Sequence, residues 1–285
     1  MDPVAKLLPC GARLHLQHGP IDLIIGADGD RDRAFQAARA RFATVLEELV
    51  RELQALRRPV SKVTPSPVGR IALRMHTACL PFSQGFVTRM AAVAGAVADE
   101  VLQAMTNAAD LNRAYVNNGG DIAFHLGKGA QFTTAMQGHA GESLGLITVT
   151  EADPIRGIAT SGRHGRSLSL GIADSVTVLA ATAAKADVAA TLIANAVDLP
   201  DHPAITRRPA NELVDDSDLG AQPVVTHCTP LTATDCQTAL HTGKVRALQF
   251  QSQNLISSAG LFLQGHVATT SSQFLKPQRP ERLYA

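Results

Sequence analysis

The sequence predicts an α+β protein, with mixed sheets packed against helices. Three observations carry that expectation. Apolar residues are 45% of the 285, enough to bury a large core. Strand-like alternation and helix-like spacing both occur, but in irregular order, unlike the regular alternation of a doubly wound sheet. Aromatic residues are only 4% and Trp is absent, so the core must rest on closely packed aliphatic elements. A single domain over residues 1–285 is expected, built as one core or as two halves joined near 59–70, with 276–285 as a C-terminal extension.

The stretch RLHLQHGPIDLIIG alternates around Gly19-Pro20 and reads as two strands joined by a turn. From 34 to 56, apolar residues at Phe35, Ala38, Phe42, Val45, Leu49 and Leu53 follow helical spacing, with Asp32 as the expected N-cap and Arg57-Arg58-Pro59 as the stop. The segment VSKVTPSPVGR has no periodicity and reads as a loop. A second helix is expected over 85–104, with a small-residue face that includes Gly95. That face suits either tight helix packing or exposure of backbone to a ligand. AYVNN, IAFHL, LGLITVT and IRGIATSG then read as short strands, and 176–197 as a strand that becomes an alanine-rich helix. PVVTHC and VRALQF are expected to be strands flanking a short helix that ends at Gly243, and ISSAGLFLQGHVATT closes the chain.

Composition excludes several function classes. The formal net charge is +1, with no basic stripe, so no nucleic-acid partner is expected. No apolar run approaches the roughly 18 residues of a membrane span, so no membrane partner is expected. MDPVAKLLPC is too short and proline-interrupted for a signal-peptide core, and the cysteines are sparse, which together predict a cytoplasmic protein. The oligomeric state is left open, a homo-oligomer included.

Three segments could carry chemistry. In VNNGGDIAFHL, the glycines of Asn118-Gly119-Gly120-Asp121 let amides approach a ligand, and Asp121 can accept from one. A hairpin turn needs the same residues for geometry alone. In IATSGRHGRSLSLG, the hydroxyls of Thr160, Ser161 and Ser167, the amide of Gly162, the cations Arg163 and Arg166 and the imidazole of His164 together suit a phosphate or carboxylate. The P-loop spacing is missing, so triphosphatase chemistry is not implied. In AKADVAATLIAN, Asp187 and Thr191 stand one helical turn apart and offer two hard oxygens to a cation, or hydrogen bonds to a neighbouring loop. His227, Cys228, Cys236 and His241 have zinc-ligating atoms but not the paired spacing of a structural site. No G-x-S-x-G elbow supports a serine nucleophile.

In order, NNGGDI, IATSG, DSVTVLA and ADVAAT resemble the motif series of the ApbE-like superfamily, the FAD:protein FMN transferases. The resemblance covers roughly residues 85–197. With HGPIDLIIG and the SDLG of 217–220, the whole chain is similar to an uncharacterised prokaryotic branch of that superfamily. The resemblance implies an ApbE-like fold, with magnesium held by Asp187, Thr191 and a backbone carbonyl. It also implies a nucleotide cleft lined by the Gly119-Gly120-Asp121 and Thr160-Ser161-Gly162 turns, with FAD or FMN as cofactor. The family reaction moves FMN from FAD to a threonine hydroxyl of an acceptor protein and releases AMP. This chain departs from the pattern in two places. Ala94-Gly95 stands where the transferases have Lys-Gly, and GRHGRSLSLGIAD replaces a segment that contains His-Ile-Ile-Asp-Pro. Two functions therefore stand: a magnesium-dependent transferase or related enzyme acting on a flavin or another small anionic metabolite, and a non-catalytic accessory protein that binds one.

Overall fold

The computed structural model describes residues 2–139 and 141–274; the expected extension at 276–285 lies outside the described residues. The chain enters through β1 (Val4–Leu7), β2 (Arg13–His18) and β3 (Ile21–Gly29), then forms α1 (Arg31–Leu56), α2 (Arg70–Cys79) and α3 (Val93–Ala108). Next come β4 (Leu111–Asn118), β5 (Asp121–Leu126), β6 (Gln131–Gln137), β7 (Ser143–Thr150), β8 (Gly157–Ser161), β9 (Ser175–Ala180) and α4 (Ala183–Ala196). The last elements are β10 (Ile205–Pro209), β11 (Pro223–Cys228), α5 (Ala233–Ser252), β12 (Ser258–Leu263) and β13 (His266–Thr269).

The protein is α+β, built on a nine-stranded sheet ordered β1-β2-β3-β4-β5-β8-β9-β12-β13. Where mixed sheets were expected, every strand pair among the described residues is antiparallel. Strand alternation divides the sheet into two faces. One carries Val116, Ala123, Ala159 and Val178 into the main core beneath the helices. The other carries Ile122, Phe124, Ile158 and Leu179 into a smaller core closed by the β6–β7 hairpin. There Phe124 and Phe132 stack with ring centroids 5.0 Å apart. The main core draws residues from both sides of 59–70.

Several local expectations need correction. Helix α1 starts earlier than expected, and Asp30, not Asp32, caps it by accepting from the Arg33 amide. The segment after the 59–70 loop is helical: α2 buries Ile71, Ala72, Met75 and His76. Helix α3 begins at Val93, eight residues later than expected (93 − 85), after a short 3-10 turn over Arg89–Ala92. VRALQF is not a strand, because α5 starts from a capping box between Thr232 and Asp235 and runs straight through Gly243. That glycine marks close packing, since a Cβ there would come within 2.3 Å of Val197 and 2.8 Å of Leu261. Strands β1, β6 and β10 are additional to those expected; β6 alternates with Phe132 and Met136 inward, but its threonines and glutamines hide that pattern in the sequence.

Helices α3 and α4 hold each other by their N-termini. A carboxylate of α3, Asp99, accepts from the amides of Ala183 and Ala184 in the first turn of α4, at 3.0 and 2.9 Å. In return Asp187 of α4 accepts from the Gly95 amide of α3 at 2.9 Å, and the Ala94 amide also bonds to it. Asp187 supplies the side-chain cap that α3 lacks locally, and Asp99 takes up the two α4 amides that the Thr182 cap leaves open. The contact requires glycine: a Cβ on Gly95 would meet the Ala183 carbonyl at 2.3 Å, and one on Gly157 would meet the Thr182 carbonyl carbon at 2.1 Å. Gly95 thus serves tight helix packing, the first of the two readings of its small-residue face.

A second organising feature is Glu100, whose side chain is 2% exposed. It receives Arg41 at 3.0 Å, Arg70 at 3.2 Å and Arg74 at 2.7 Å, and so joins α1, α2 and α3. Burial pushes its carboxyl up, but the Arg74 and Arg41 guanidinium groups outweigh this and hold it below the ordinary 4.5. The SDLG motif is also structural here: the Thr88 hydroxyl donates to Asp218, fixing the lead into α3.

Two predictions follow from these contacts. Asp99→Ala should lower unfolding free energy by about 1–2 kcal/mol, the usual cost of losing a helix cap. A loss of less than a quarter of that free energy in urea unfolding at unchanged m-value would show that the reciprocal caps contribute little. For Glu100 the pH sign is set by a depressed native-state pKa. Its stabilisation is complete above pH 4.5 and is lost as pH falls through the lower native value. Urea midpoints measured from pH 7 to pH 3 should fall on the acid side, and Glu100→Gln should flatten that limb while costing about 3 kcal/mol at pH 7.

Candidate functional site

The Gly119-Gly120 turn between β4 and β5 lies next to the end of β8. Both glycines have positive φ, +66° and +110°. The Gly120 amide donates to Asn117 Oδ1 at 2.9 Å, and Asn118 ties the turn to α3 through the Ala94 carbonyl at 3.1 Å. The turn opens onto a cleft of about 320 Å³ between the sheet and the β6–β7 hairpin. Gly119, Gly120, Thr160, Ser161, Gly162 and His164 all line it, so two segments about forty residues apart in sequence meet around one space. Ile122, Ile147 and Ile158 supply its apolar part, and the Thr160 and Thr177 hydroxyls bond to each other at 3.0 Å.

The anion loop divides once it is folded. Arg163 turns to Asp174, with contacts of 3.0 Å from Nε and 2.7 Å in the ion pair. His164 reaches the same oxygen at 3.1 Å, and the Gln264 amide donates to the other one. Asp174 thus takes up one of the two guanidinium groups expected to face a ligand. Arg166 behaves differently. It is exposed, makes no ion pair or hydrogen bond among the described residues, and lies so close over Gly119 that a Cβ there would come within 2.1 Å of Nη2. Ser167 is exposed and outside the cleft lining. His139, just past the end of the hairpin strand β6, stacks on His164 with ring centroids 3.8 Å apart, and both residues line the cleft. Burial, Arg163 and His139 hold His164 below the usual histidine range despite Asp174.

The proposed metal pair lies on the other face of the sheet. Asp121 shares the helix-facing side with Ala123, and its carboxylate accepts from the Thr160 amide at 3.3 Å. Burial pushes its pKa up to about 7, against the pull of that amide and of Arg166. Asp187 is raised as well, by burial first and then by the charge of Asp121. Two carboxylates that cannot both ionise cheaply therefore sit together beneath the glycine turn. Asp187 and Thr191 do not line the cleft. Asp121 does not line it either; its neighbours Gly119, Gly120 and Ile122 do. Among the described residues no group of three or more His, Cys, Asp or Glu side chains is arranged for a metal ion, which includes the cysteine–histidine set of 227–241.

Sequence reasoning missed His139, Thr177 and Asn117, and left Asp174 without a role. His139 carried no signal, because its importance comes from a stacking partner in a different loop. Asp174 immediately precedes β9 in the DSVTVLA motif, and the arginine and histidine eleven and ten residues earlier were the available hint.

A family model described as AbpE bacteria matches residues 5–269 of the chain. The chain is similar to a UPF0280 protein of Methanothrix thermoacetophila, 38% identical over 123 residues, which are 42% of this chain and 50% of that protein. It is also similar to UPF0280 proteins of Methanopyrus kandleri, 34% identical over 159 residues (55% of this chain, 61% of the other), and of Methanococcus maripaludis, 34% identical over 166 (55% and 65%). The matched segments span about half to two thirds of those relatives.

The folded loop generates a paired prediction. Arg163→Ala should lower the melting temperature, since it leaves Asp174 with a partly buried, under-neutralised charge worth about 1–3 kcal/mol. Arg166→Ala, which removes no contact that holds the fold, should leave the melting temperature within about 1 °C. Equal effects in thermal melts would show that the two arginines are not divided in this way.

Proposed function

The chain belongs to the ApbE-like family described as AbpE bacteria, and from that premise we propose that it binds a small anionic metabolite, with flavin mononucleotide the first candidate, in the cleft beneath the β6–β7 hairpin. The observation that carries this reading is Arg166: its guanidinium, which makes no ion pair or hydrogen bond among the described residues and does not itself line the cleft, lies against Gly119, which does. A volume of about 320 Å³ is at the small end of ligand pockets, which favours one ring system with its phosphate outside over a whole dinucleotide. In this reading the ring lies against Ile122 and Ile158, the Thr160–Thr177 hydroxyl pair orients its polar edge, and Arg166 pairs with the phosphate. Such a contact is worth about 1.5–3 kcal/mol.

The donor set beneath the turn fits a magnesium ion. Hard oxygens of Asp187 and Thr191 stand one turn apart, and the mutual repulsion of Asp187 and Asp121 is what a divalent cation relieves. Asp187 and Thr191 would hold it, and the ion would supply positive charge against a phosphate. The chain's own residues prepare the place: Gly95 and Ala94 orient Asp187, and Asn118 fixes the glycine turn over it.

Transfer of FMN from FAD is a second, catalytic reading, supported by the order of the motifs and by this acid pair. A non-catalytic binding role is supported by the engagement of Asp187 in capping α3 and of Arg163 by Asp174. Incubation with FAD and magnesium followed by AMP detection separates them, AMP release placing the protein with the transferases.

Calorimetry with FMN tests the cleft itself. Arg166→Ala should weaken binding about tenfold to a hundredfold; unchanged affinity would move the ligand elsewhere. The acid pair adds a pH test. Because its native pKa values are raised, its stability contribution is present in acid and lost as pH rises through about 7. Magnesium should therefore raise the melting temperature more at pH 8 than at pH 5.5, and Asp187→Ala should abolish the difference.

A further inference from the structure

The outer surface of the helical layer carries a second cavity, of about 360 Å³, where α2 meets the first turn of α4. Arg70, Arg74 and Lys185 stand around it, Leu73 and Ala78 give it an apolar side, and none of these residues lines the cleft under the hairpin. Arg70 and Arg74 are each anchored to Glu100 through Nε, at 3.2 and 2.7 Å. Among the described residues no terminal guanidinium nitrogen of either makes a hydrogen bond, and the Lys185 ammonium has no partner. Three cations thus face two carboxylates, Glu100 and Asp99, whose oxygens already accept from arginines and from the Ala183 and Ala184 amides.

We propose that this cavity is a binding site for an oxyanion, phosphate or carboxylate, that carries a short apolar group. The Arg74 hydrogen bond to Glu100 fixes the plane of that guanidinium while leaving its outer edge free, the edge that pairs with two oxygens of one anion, and the ion-paired Arg70 stands beside it as a second donor. Lys185 adds a mobile point charge from the opposite wall. Leu73 is 43% exposed at the rim, and such a surface beside unspent donors suits a ligand with an apolar end and a charged end. The site stands on different residues from the cleft and does not depend on the function proposed for it.

Calorimetry with inorganic phosphate, phenyl phosphate and hexanoate tests the proposal and distinguishes the two oxyanions. Phenyl phosphate or hexanoate should bind more tightly than inorganic phosphate, because only they cover the apolar side. Lys185→Ala and Arg70→Ala should each weaken that binding about tenfold. The Arg70 side chain is 70% exposed, so its removal should leave the fold intact, which a thermal melt checks. Arg166→Ala, at the Gly119 turn, should not change it. Absence of binding by all three probes at millimolar concentration would overturn the assignment, and so would affinities that are equal in wild type and Lys185→Ala.

Discussion

The exchange of carboxylates between α3 and α4 positions almost everything of interest in this protein. Helix N-termini leave orphan amides, and neither helix supplies enough acceptors from its own leading residues: α3 has no side-chain cap, and Thr182 satisfies only the Lys185 amide of α4. Asp99 and Asp187 complete both ends across the interface. The exchange works only because Gly95 and Gly157 let the start of α4 lie against the backbones of α3 and β8. It also fixes the place of Asp187, one charge away from Asp121 and the glycine turn.

That arrangement puts the chemistry on two faces of one sheet. Above it, the hairpin and the 160–165 segment enclose an apolar slot with hydroxyls and imidazoles; below it, two carboxylates share a poorly solvated place. Asp121 connects the faces, because its backbone lies in the turn that rims the slot while its side chain is directed toward the helices. A phosphate held by Arg166 at the rim and a cation held by Asp187 and Thr191 below would meet across a single turn, which is the physical content of the functional proposal.

The helical layer has its own electrostatic logic. Glu100 gathers three arginines, from the mostly buried Arg41 to the mostly exposed Arg70, so a buried charge is over-neutralised and the surplus lies at the surface near Lys185. Arg89 shows a different solution: it is buried, makes no ion pair among the described residues, and is satisfied by the Ala55 and Pro65 carbonyls and by His76, closing the C-terminal end of α1. Cation pairing in this layer holds helices together first, and what remains unspent is available to ligands.

The sequence by itself determined the α+β class, α1, the first hairpin and the succession of β4, β5, β8, β9 and α4, because those segments carry strong periodicity bounded by glycine or proline. It also placed Gly119, Gly120, Thr160, Ser161 and Gly162 among the candidates that the fold gathers around one cleft. Only the tertiary structure decided how each was used. Arg163 and Arg166 are equivalent in a sequence, yet in the fold Asp174, also held by the Gln264 amide beside the paired β9 and β12, takes Arg163, while Arg166 makes no ion pair or hydrogen bond among the described residues. Gly243 looked like a stop and is a packing contact, since what it touches, Val197 and Leu261, lies in distant segments. Asp187 has a carboxylate's full chemistry in the sequence, but whether it caps a helix, shares a proton or holds a cation depends on α3 and Asp121, which local spacing does not encode. Periodicity reports which face of an element is buried; long-range pairing sets which charges are already satisfied, and that decides which remain for function.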